Sequence, residues 1–429
     1  MRMPPPPTEL FVTNRARLCA QLPAGTLAAI TSNLDSPTNA DASHPYEQNS
    51  NLYYLTGVAQ AQTALLLFPT AQDPKQREIL FVQESDPHTV IWEGHKLSVE
   101  DARTRTGVQN VQFFSAFERV FRQLAIEAST LALEKNEHPR LSSMLPTGND
   151  ALIEKAQAWF PLHTYMRLAP ILTELRMVKS QAEIALVSQA WDVTEAGFRR
   201  VLQAVQPGVG EWEIEAEYAH EFTRRGARGF AYSPIVASGA NSCVLHYTEN
   251  DQHCNDGDLL LMDVASEWNG WNADMTRTIP VNGRFTPRQR SVYDAVLRVL
   301  RAAAALLRPG LAIADYQQQV QRIMGDELVE LGLLQPEELQ GEDWVKAVQR
   351  YFMHGTSHHL GIDVHDVTAP HCIIQEGMLF TVEPGIYITE EELGIRLEDN
   401  YLIGSTENTN LSANVPIDPD EIEALMAST

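Results

Sequence analysis

Cysteine is scarce in this chain: four among 429 residues, Cys19, Cys243, Cys254 and Cys372, with no paired spacing such as Cys-x-x-Cys. That excludes a zinc ribbon and a disulfide framework, and it matches a reducing cytoplasm. Positive charge is short as well. Only 32 Lys and Arg stand against 56 Asp and Glu, a net charge of −24, which excludes a binder of phosphate backbones and its basic footprint. No apolar run approaches the ~18 residues of a membrane span. The opening MRMPPPPTELF lacks the apolar segment and cleavage site of a secretory signal. A phosphate loop, a dinucleotide fingerprint and a Gly-x-Ser-x-Gly elbow are also missing. What remains is an ordinary globular composition, 44% hydrophobic and 21% charged, able to bury a core spread over two or three domains. The expected location is the cytoplasm, with no nucleic acid and no membrane as partner.

The first eight residues form a Pro-rich tail, expected to be disordered or a surface strap. From about 10 to 168, strand-like runs alternate with helical patterns. TALLLF (63–68), EILFV (78–82) and STLALE (129–134) read as strands, and Ser115–Ala128 and Leu141–Phe160 as helices. Pro161–Pro170 read as the connector. The second half holds an internal echo. VLQAVQPGVGEWEIEAEYAHEF (201–222) and RAAAALLRPGLAIADYQQQVQRI (301–323) both read as helix, Pro-Gly stop, amphipathic helix. Chance similarity of two helix pairs is one explanation; the other is two copies of a helix–helix–sheet unit, joined with pseudo-twofold symmetry and a site at the join.

The chemistry begins in DGDLLLMDVASEWNGWNADMTRTIPV (256–281). Asn269-Gly270 between two β-rich runs is a strong hairpin signal. A two-residue loop pairs Trp268 with Trp271, sets Asp263 opposite Thr276 and Asp274 opposite Ala265, provided no bulge intervenes. The two aspartates then share a face as diagonal neighbours, ~7–8 Å apart, so that both carboxylates can reach one metal or a metal pair. FMHGTSHHLGIDVHDV (352–367) holds His354, His358, His359 and His365, four of the chain's 13 histidines. That density points to ligation or catalysis without saying which histidine is a ligand. In LFTVEPGIYI (379–388) and GIRLEDNYLI (394–403), Glu383 and Glu398 sit among apolar neighbours and require a cation, either Arg396 or metal. Four carboxylates and histidine make a hard, oxygen-rich donor set suited to Mn²⁺, Fe²⁺, Co²⁺ or Zn²⁺. Metal-assisted hydrolysis is the reaction class these residues support.

LHYTEN, MDV…ADMTRT, HGTSHHLGIDVHD, TVEPGIYI and GIRLED, in that order, resemble the pita-bread metallopeptidases, and among them bacterial aminopeptidase P (Xaa-Pro aminopeptidase). The resemblance extends to QNSNLYYLTG (48–57) and VIWEGHKL (90–97) near the start and DEIEALM near the end. It implies a mixed α/β fold in two domains: a smaller N-terminal domain, 1–173, and a pseudosymmetric pita-bread catalytic domain, 174–429. It also implies five metal ligands: Asp263 on one ion, His358 and Glu383 on the other, Asp274 and Glu398 bridging. His246, His354 and His365 would line the substrate site, with His365 holding the scissile carbonyl. Tyr387 and Arg396 resemble polar support around Glu383 and Glu398. Trp92 matches an aromatic that reaches a neighbouring subunit's site in oligomeric relatives; core packing is the alternative.

The implied activity is removal of an N-terminal residue that precedes proline. Hydroxide held by two divalent ions, Mn²⁺ foremost with Zn²⁺, Co²⁺ or Fe²⁺ as substitutes, would attack the scissile carbonyl while Glu383 shuttles the proton. Xaa-Pro peptides are then the partners, and a homodimer or homotetramer the assembly. A Xaa-Pro dipeptidase would use the same metals and differ in the groove. A non-catalytic binding module is disfavoured because all five ligands are present, and a methionine aminopeptidase because the long N-terminal domain would be surplus. Ala273 departs from the pattern, standing where relatives often carry Gly.

Overall fold

The computed structural model describes residues 3–40, 42–138 and 145–427. The chain divides between Arg176 and Met177 into two units, Pro5–Arg176 and Met177–Thr429, with Pro4 belonging to the second. No helix among the described residues is long and apolar enough to cross a membrane, and the four cysteines are free thiols.

The first unit is built on a six-stranded mixed sheet of β1 (Thr26–Thr31), β2 (Ala64–Leu67), β3 (Glu78–Val82), β4 (Asn110–Phe113), β5 (Thr130–Leu133) and β6 (Thr164–Arg167), in the order β4-β3-β2-β1-β5-β6. Helices α1 (Thr8–Gln21), α2 (Ser50–Thr56), α3 (Pro87–Glu93), α4 (Val99–Thr106), α5 (Phe117–Glu127), α6 (Gly148–Trp159) and α7 (Ala169–Met177) complete it. The central strands are buried on both faces, which is why they read as unbroken apolar runs. Leu27, Leu66, Ile79, Phe81 and Leu131 meet Phe117, Phe121 and Leu152 on one side. Leu80, Val82 and Val111 meet Ala102 on the other. The motif at 48–57 folds as α2, with Asn49 capping the Leu52 N–H at 2.9 Å and Gly57 closing the helix at φ +66°. Its polar residues anchor the unit internally: Asn49 and Asn51, together with Asn149 of α6, donate to the buried Glu134 carboxylate.

Three sequence expectations need correction. The segment 161–170 is not merely a connector, because Thr164–Arg167 adds to the sheet as β6, parallel to β5. Four residues with polar and charged ends make an edge strand whose pattern is too short and too exposed to register as one. The helix expected over 141–160 starts at Gly148, where Thr147 and Asp150 form a capping box; 141–144 lie outside the described residues, and 145–147 are not helical. Helix α5 is shorter than expected by two residues at its start, where Phe114–Ala116 make a 3₁₀ turn.

The second unit repeats itself. Helices α8 (Gln181–Ala204) and α9 (Glu211–Arg224) lead into β7 (Ile235–Ser238), β8 (Leu259–Asp263), β9 (Glu267–Trp268), β10 (Trp271–Asn272) and β11 (Thr276–Pro280). Helices α10 (Pro287–Leu306), α11 (Ile313–Glu330) and α12 (Trp344–Gln349) lead into β12 (Leu379–Val382), β13 (Gly385–Ile388), β14 (Leu393–Arg396), β15 (Asp399–Leu402) and β16 (Thr409–Asn410), before the closing α13 (Pro419–Ala427). The two Pro-Gly stops make matching bonds. In the first half Gly208 N–H donates to Cys254 O, Cys254 N–H to Val209 O and Glu211 N–H to Gln252 O, at 2.7–2.9 Å. In the second half Gly310 N–H donates to Ile374 O, Ile374 N–H to Leu311 O and Ile313 N–H to Cys372 O, at 2.9–3.0 Å. The echo is therefore a structural duplication. Both glycines hold left-handed backbone, φ +94° and +88°, which is why each stop carries one.

Helix α8 lies against α9 through Gly197, where an added Cβ would stand 2.7 Å from the Phe222 ring and 2.8 Å from that of Tyr218. Alanine in place of a helical glycine gains about 1 kcal/mol of propensity, but overpacking a filled core costs about 1–3 kcal/mol. Gly197→Ala should therefore lower the urea midpoint with an unchanged slope; a higher midpoint in equilibrium denaturation would show that the two helices can separate freely.

Candidate active site

Asn269 and Gly270 sit at the tip of the first hairpin with φ of +51° and +84°, the pair of left-handed residues a type I′ turn needs. From that tip the register is constant. Trp268 faces Trp271, Ala273 N–H donates to Ser266 O, Val264 N–H to Met275 O, and Asp263 faces Thr276. No bulge shifts it, so Asp263 and Asp274 are diagonal neighbours on one face. The second hairpin is equally regular. Leu379 faces Leu402, Val382 faces Asp399, Gly385 faces Arg396, and Ile388 faces Leu393. Glu383 and Glu398 thus stand opposite each other in the gap between its two ladders.

The histidine segment joins these hairpins. Glu383 N–H donates to Thr356 O at 2.8 Å, and Thr381 N–H to His358 O at 3.0 Å. Asn272 then holds Gly361 O through its N–H at 3.0 Å and Ile362 O through Nδ2 at 2.7 Å. Ligand atoms of Asp274, His358 and Glu398 consequently lie within 4.8 Å of one another. His358 Nε2 is 3.4 Å from both Asp274 Oδ2 and Glu383 Oε1. Asp263 enters through Arg396, whose Nη2 donates to its Oδ2 at 2.8 Å.

Burial and mutual repulsion govern the electrostatics. Burial, then the charges of Asp274, Glu383 and Asp263, push Glu398 well above the carboxylate range. Burial chiefly raises Asp263, with Arg396 opposing, and lifts Glu383 to about 7. For His358 burial favours the neutral ring, yet the Asp274 hydrogen bond and the Glu383 charge outweigh it and push the imidazole up to about 9. Glu398 Oε1 and Asp263 Oδ1 are buried with no hydrogen-bond partner. Unpartnered buried carboxylate oxygens are costly, and three carboxylates sharing one imidazole leave negative charge in excess. Divalent cations fit this donor set.

Arg396 bonds directly to neither glutamate, although its charge opposes the rise of Glu383. It pairs with Asp263, and its Nη1 donates to Tyr387 OH at 2.9 Å and its Nε to Thr276 Oγ1 at 3.2 Å. Support reaches Glu398 only indirectly, through the Thr276 hydroxyl at 2.8 Å. Tyr387 likewise serves His354 rather than Glu383. The His354 ring has Nδ1 2.8 Å from Gly355 O, so that nitrogen carries the proton, and Nε2 accepts from Tyr387 OH at 2.8 Å. Burial and the nearby Arg396 charge keep it neutral, down to about 4. Both nitrogens are engaged; His354 lines the site with its ring. His365 is exposed, with its ring edge-to-face 4.3 Å from His358. His246 is exposed in a turn after the 3₁₀ segment Gly239–Cys243, close enough to His354 for its charge to be felt. Trp92 is on α3, 75% exposed, which removes the core-packing alternative.

Three neighbours were not foreseen. Tyr232 receives the Met275 N–H at 3.3 Å, and burial followed by the Asp263 and Asp274 charges pushes its hydroxyl well above the usual phenol range. Thr276 links Arg396 to Glu398. Asn400 binds both backbone groups of Asp274, accepting its N–H at 3.2 Å and donating to its carbonyl at 2.9 Å, while Trp191 Nε1 fixes the Asn400 oxygen. The hairpin position of Thr276 opposite Asp263 and the adjacency of Asn400 to Asp399 could have flagged those two; Tyr232 carries no such signal.

The model of metallopeptidase family M24 matches residues 185–405, and that of the aminopeptidase P N-terminal domain matches 11–132. The Xaa-Pro aminopeptidases of Escherichia coli (strain K12) and Haemophilus influenzae are each 36% identical to the chain. The alignments cover 97% and 98% of it and 97% of each relative. The chain belongs to metallopeptidase family M24. The structure of E. coli aminopeptidase P with the inhibitor Pro-Leu superposes with a TM-score of 0.88, at 36% identity over 98% of both chains. The zinc-substituted E. coli enzyme in complex with product gives 0.88 as well, and Yersinia pestis proline aminopeptidase P II gives 0.89. As an M24 metallopeptidase the protein has a pita-bread catalytic domain that follows an aminopeptidase P-type N-terminal domain in sequence, and the M24 match includes every candidate ligand.

Cation binding to the native cluster should stabilise it by mass action, about 2.7 kcal/mol at a hundredfold excess over Kd. Adding Mn²⁺ to chelator-treated protein should therefore raise its melting temperature, and Glu398→Gln should lose most of that rise. An unchanged rise in the Glu398→Gln protein, followed by differential scanning fluorimetry, would remove Glu398 from the ligand set.

Proposed function

We propose that the protein is a metal-dependent Xaa-Pro aminopeptidase, releasing the N-terminal residue of peptides with proline in second position. The carrying observation is the convergence of Asp263, Asp274, His358, Glu383 and Glu398, with two buried carboxylate oxygens left unpartnered. Asp263 would hold one ion and His358 with Glu383 the other, Asp274 and Glu398 bridging. Divalent cations there supply Lewis acidity and make water nucleophilic near neutral pH. Mn²⁺ is the proposed native ion. Glu383 takes the proton of the attacking water and returns it to the prolyl nitrogen. His365 donates to the developing oxyanion. Arg396 and Tyr387 hold Asp263 and His354 in place, and His354 with His246 forms the wall for the pyrrolidine ring. A cytoplasmic homodimer or homotetramer is the assembly in which the exposed Trp92 would meet a neighbouring subunit.

The groove must stay open beyond proline in an aminopeptidase, whereas a dipeptidase needs a fixed cation there for the proline carboxylate. The basic side chains around the cluster are committed elsewhere. Arg396 pairs with Asp263, and Arg277 pairs with Asp399 at 2.7 Å while also holding the carbonyls of Glu398 and Pro416.

Two measurements test this reading. Xaa-Pro-Xaa tripeptides should be cleaved with higher kcat/KM than the matching Xaa-Pro dipeptides, and amidating the tripeptide C-terminus should change little. Preference for dipeptides, with amidation abolishing cleavage, would establish a dipeptidase. His365→Ala should keep its metal while kcat falls about 10²–10³-fold; parallel loss of metal would make His365 a ligand instead.

A further inference from the structure

Lys179 and Asp366 form an ion pair at 3.0 Å with side chains only 1% and 2% exposed, joining positions 187 residues apart. Burying such a pair gains little stability over a well-packed apolar pair, because desolvation offsets the attraction. Its value lies in fixing position. Lys179 is rigid at its backbone: its N–H donates to Gly377 O at 2.8 Å, and Val178 bridges Met378, just before β12 begins. The other acid facing it, Glu183, is occupied in capping α8 through Ser180, at 2.8–2.9 Å. The His359 ring also faces the pair and is neutral, since burial and the Lys179 charge lower it to about 3.

Asp366 directly follows His365. Its N–H donates to His359 O at 2.9 Å, closing the loop that carries His365. Gly361 in that loop is needed to admit the pair: a Cβ there would lie 2.2 Å from Asp366 Oδ2 and 3.2 Å from Lys179 Cε. The start of the loop is held by Asn272, within the hairpin that carries Asp274. Its end is held by the ion pair, at the foot of the strand whose other end carries Glu383. We propose that the Lys179–Asp366 pair sets the position of the His365 ring over the metal cluster, making both members positioning residues for the reaction. The inference rests on the assignment of His365 to the oxyanion.

The test is a double-mutant cycle on the metal-loaded enzyme with an Xaa-Pro-Xaa tripeptide. Lys179→Met with Asp366→Asn removes both charges while keeping the shape of the site. In the otherwise native enzyme it should lower kcat on the order of 10- to 100-fold, as misplacement by about 1 Å does, with KM and bound metal unchanged. In a His365→Ala background the same two substitutions should cost nothing further, since they act only through that ring. Lys179→Gln with Asp366→Asn, which removes both charges and leaves a neutral hydrogen bond between the two side chains, enters the same cycle if the first combined variant does not fold, with a smaller kcat loss that again vanishes without His365. Losses that multiply in the His365→Ala background, an unchanged kcat, or metal lost in step with activity would overturn the proposal. If His365→Ala alone keeps native kcat, the assignment of His365 fails and takes the inference with it; if it loses kcat and the losses multiply, the inference alone fails.

Discussion

The second unit is organised around like charges that have nowhere to go. Asp263, Asp274, Glu383 and Glu398 are brought out of water onto adjoining strand ends, where burial and then the neighbouring carboxylates raise Asp263, Glu383 and Glu398. The His358 imidazole and the Arg396 guanidinium face them. Arg396 answers Asp263 and His358 answers Asp274 and Glu383, while an oxygen of Glu398 and one of Asp263 remain without partners. Such a cluster is a poor way to stabilise a fold and a good way to bind divalent cations. The surrounding structure exists to hold it together.

That holding is done in layers. Two hairpins of unbroken register set the carboxylates, and the histidine segment pairs with β12 so that His358 cannot drift from Glu383. Asn400 fixes the backbone of Asp274 from the opposite hairpin, Thr276 and Arg396 bind the carboxylates to one another, and α8 secures Asn400 through Trp191. The duplication explains why four carboxylates meet. Each half contributes one acid at the end of a strand and one near the start of its antiparallel neighbour, and the halves face each other.

Much of this was legible in the chain. The Asn-Gly dipeptide determined the hairpin tip, and a period-two alternation from that tip put Asp263 and Asp274 on one face, because turn type and register are local consequences of left-handed residues and pleat. The Pro-Gly stops at 207–208 and 309–310 marked the repeat, since glycine takes positive φ at little cost. Central strands of the first unit were visible as apolar runs. Strand β6 was not, because four partly exposed residues at a sheet edge are too few to show a buried run or an alternation.

Residue types, their order and the hairpin register were thus determined by sequence, through short-range backbone preferences and hydrophobic patterning. Tertiary structure alone decided the pairings across long separations. Arg396 chose Asp263, 133 residues away, over the nearby Glu398. His354 spent both nitrogens on Gly355 and Tyr387, and Lys179 found Asp366 across 187 residues. A side chain several rotatable bonds long reaches whichever partner the packed backbone brings within about 3 Å, and no local pattern encodes that meeting.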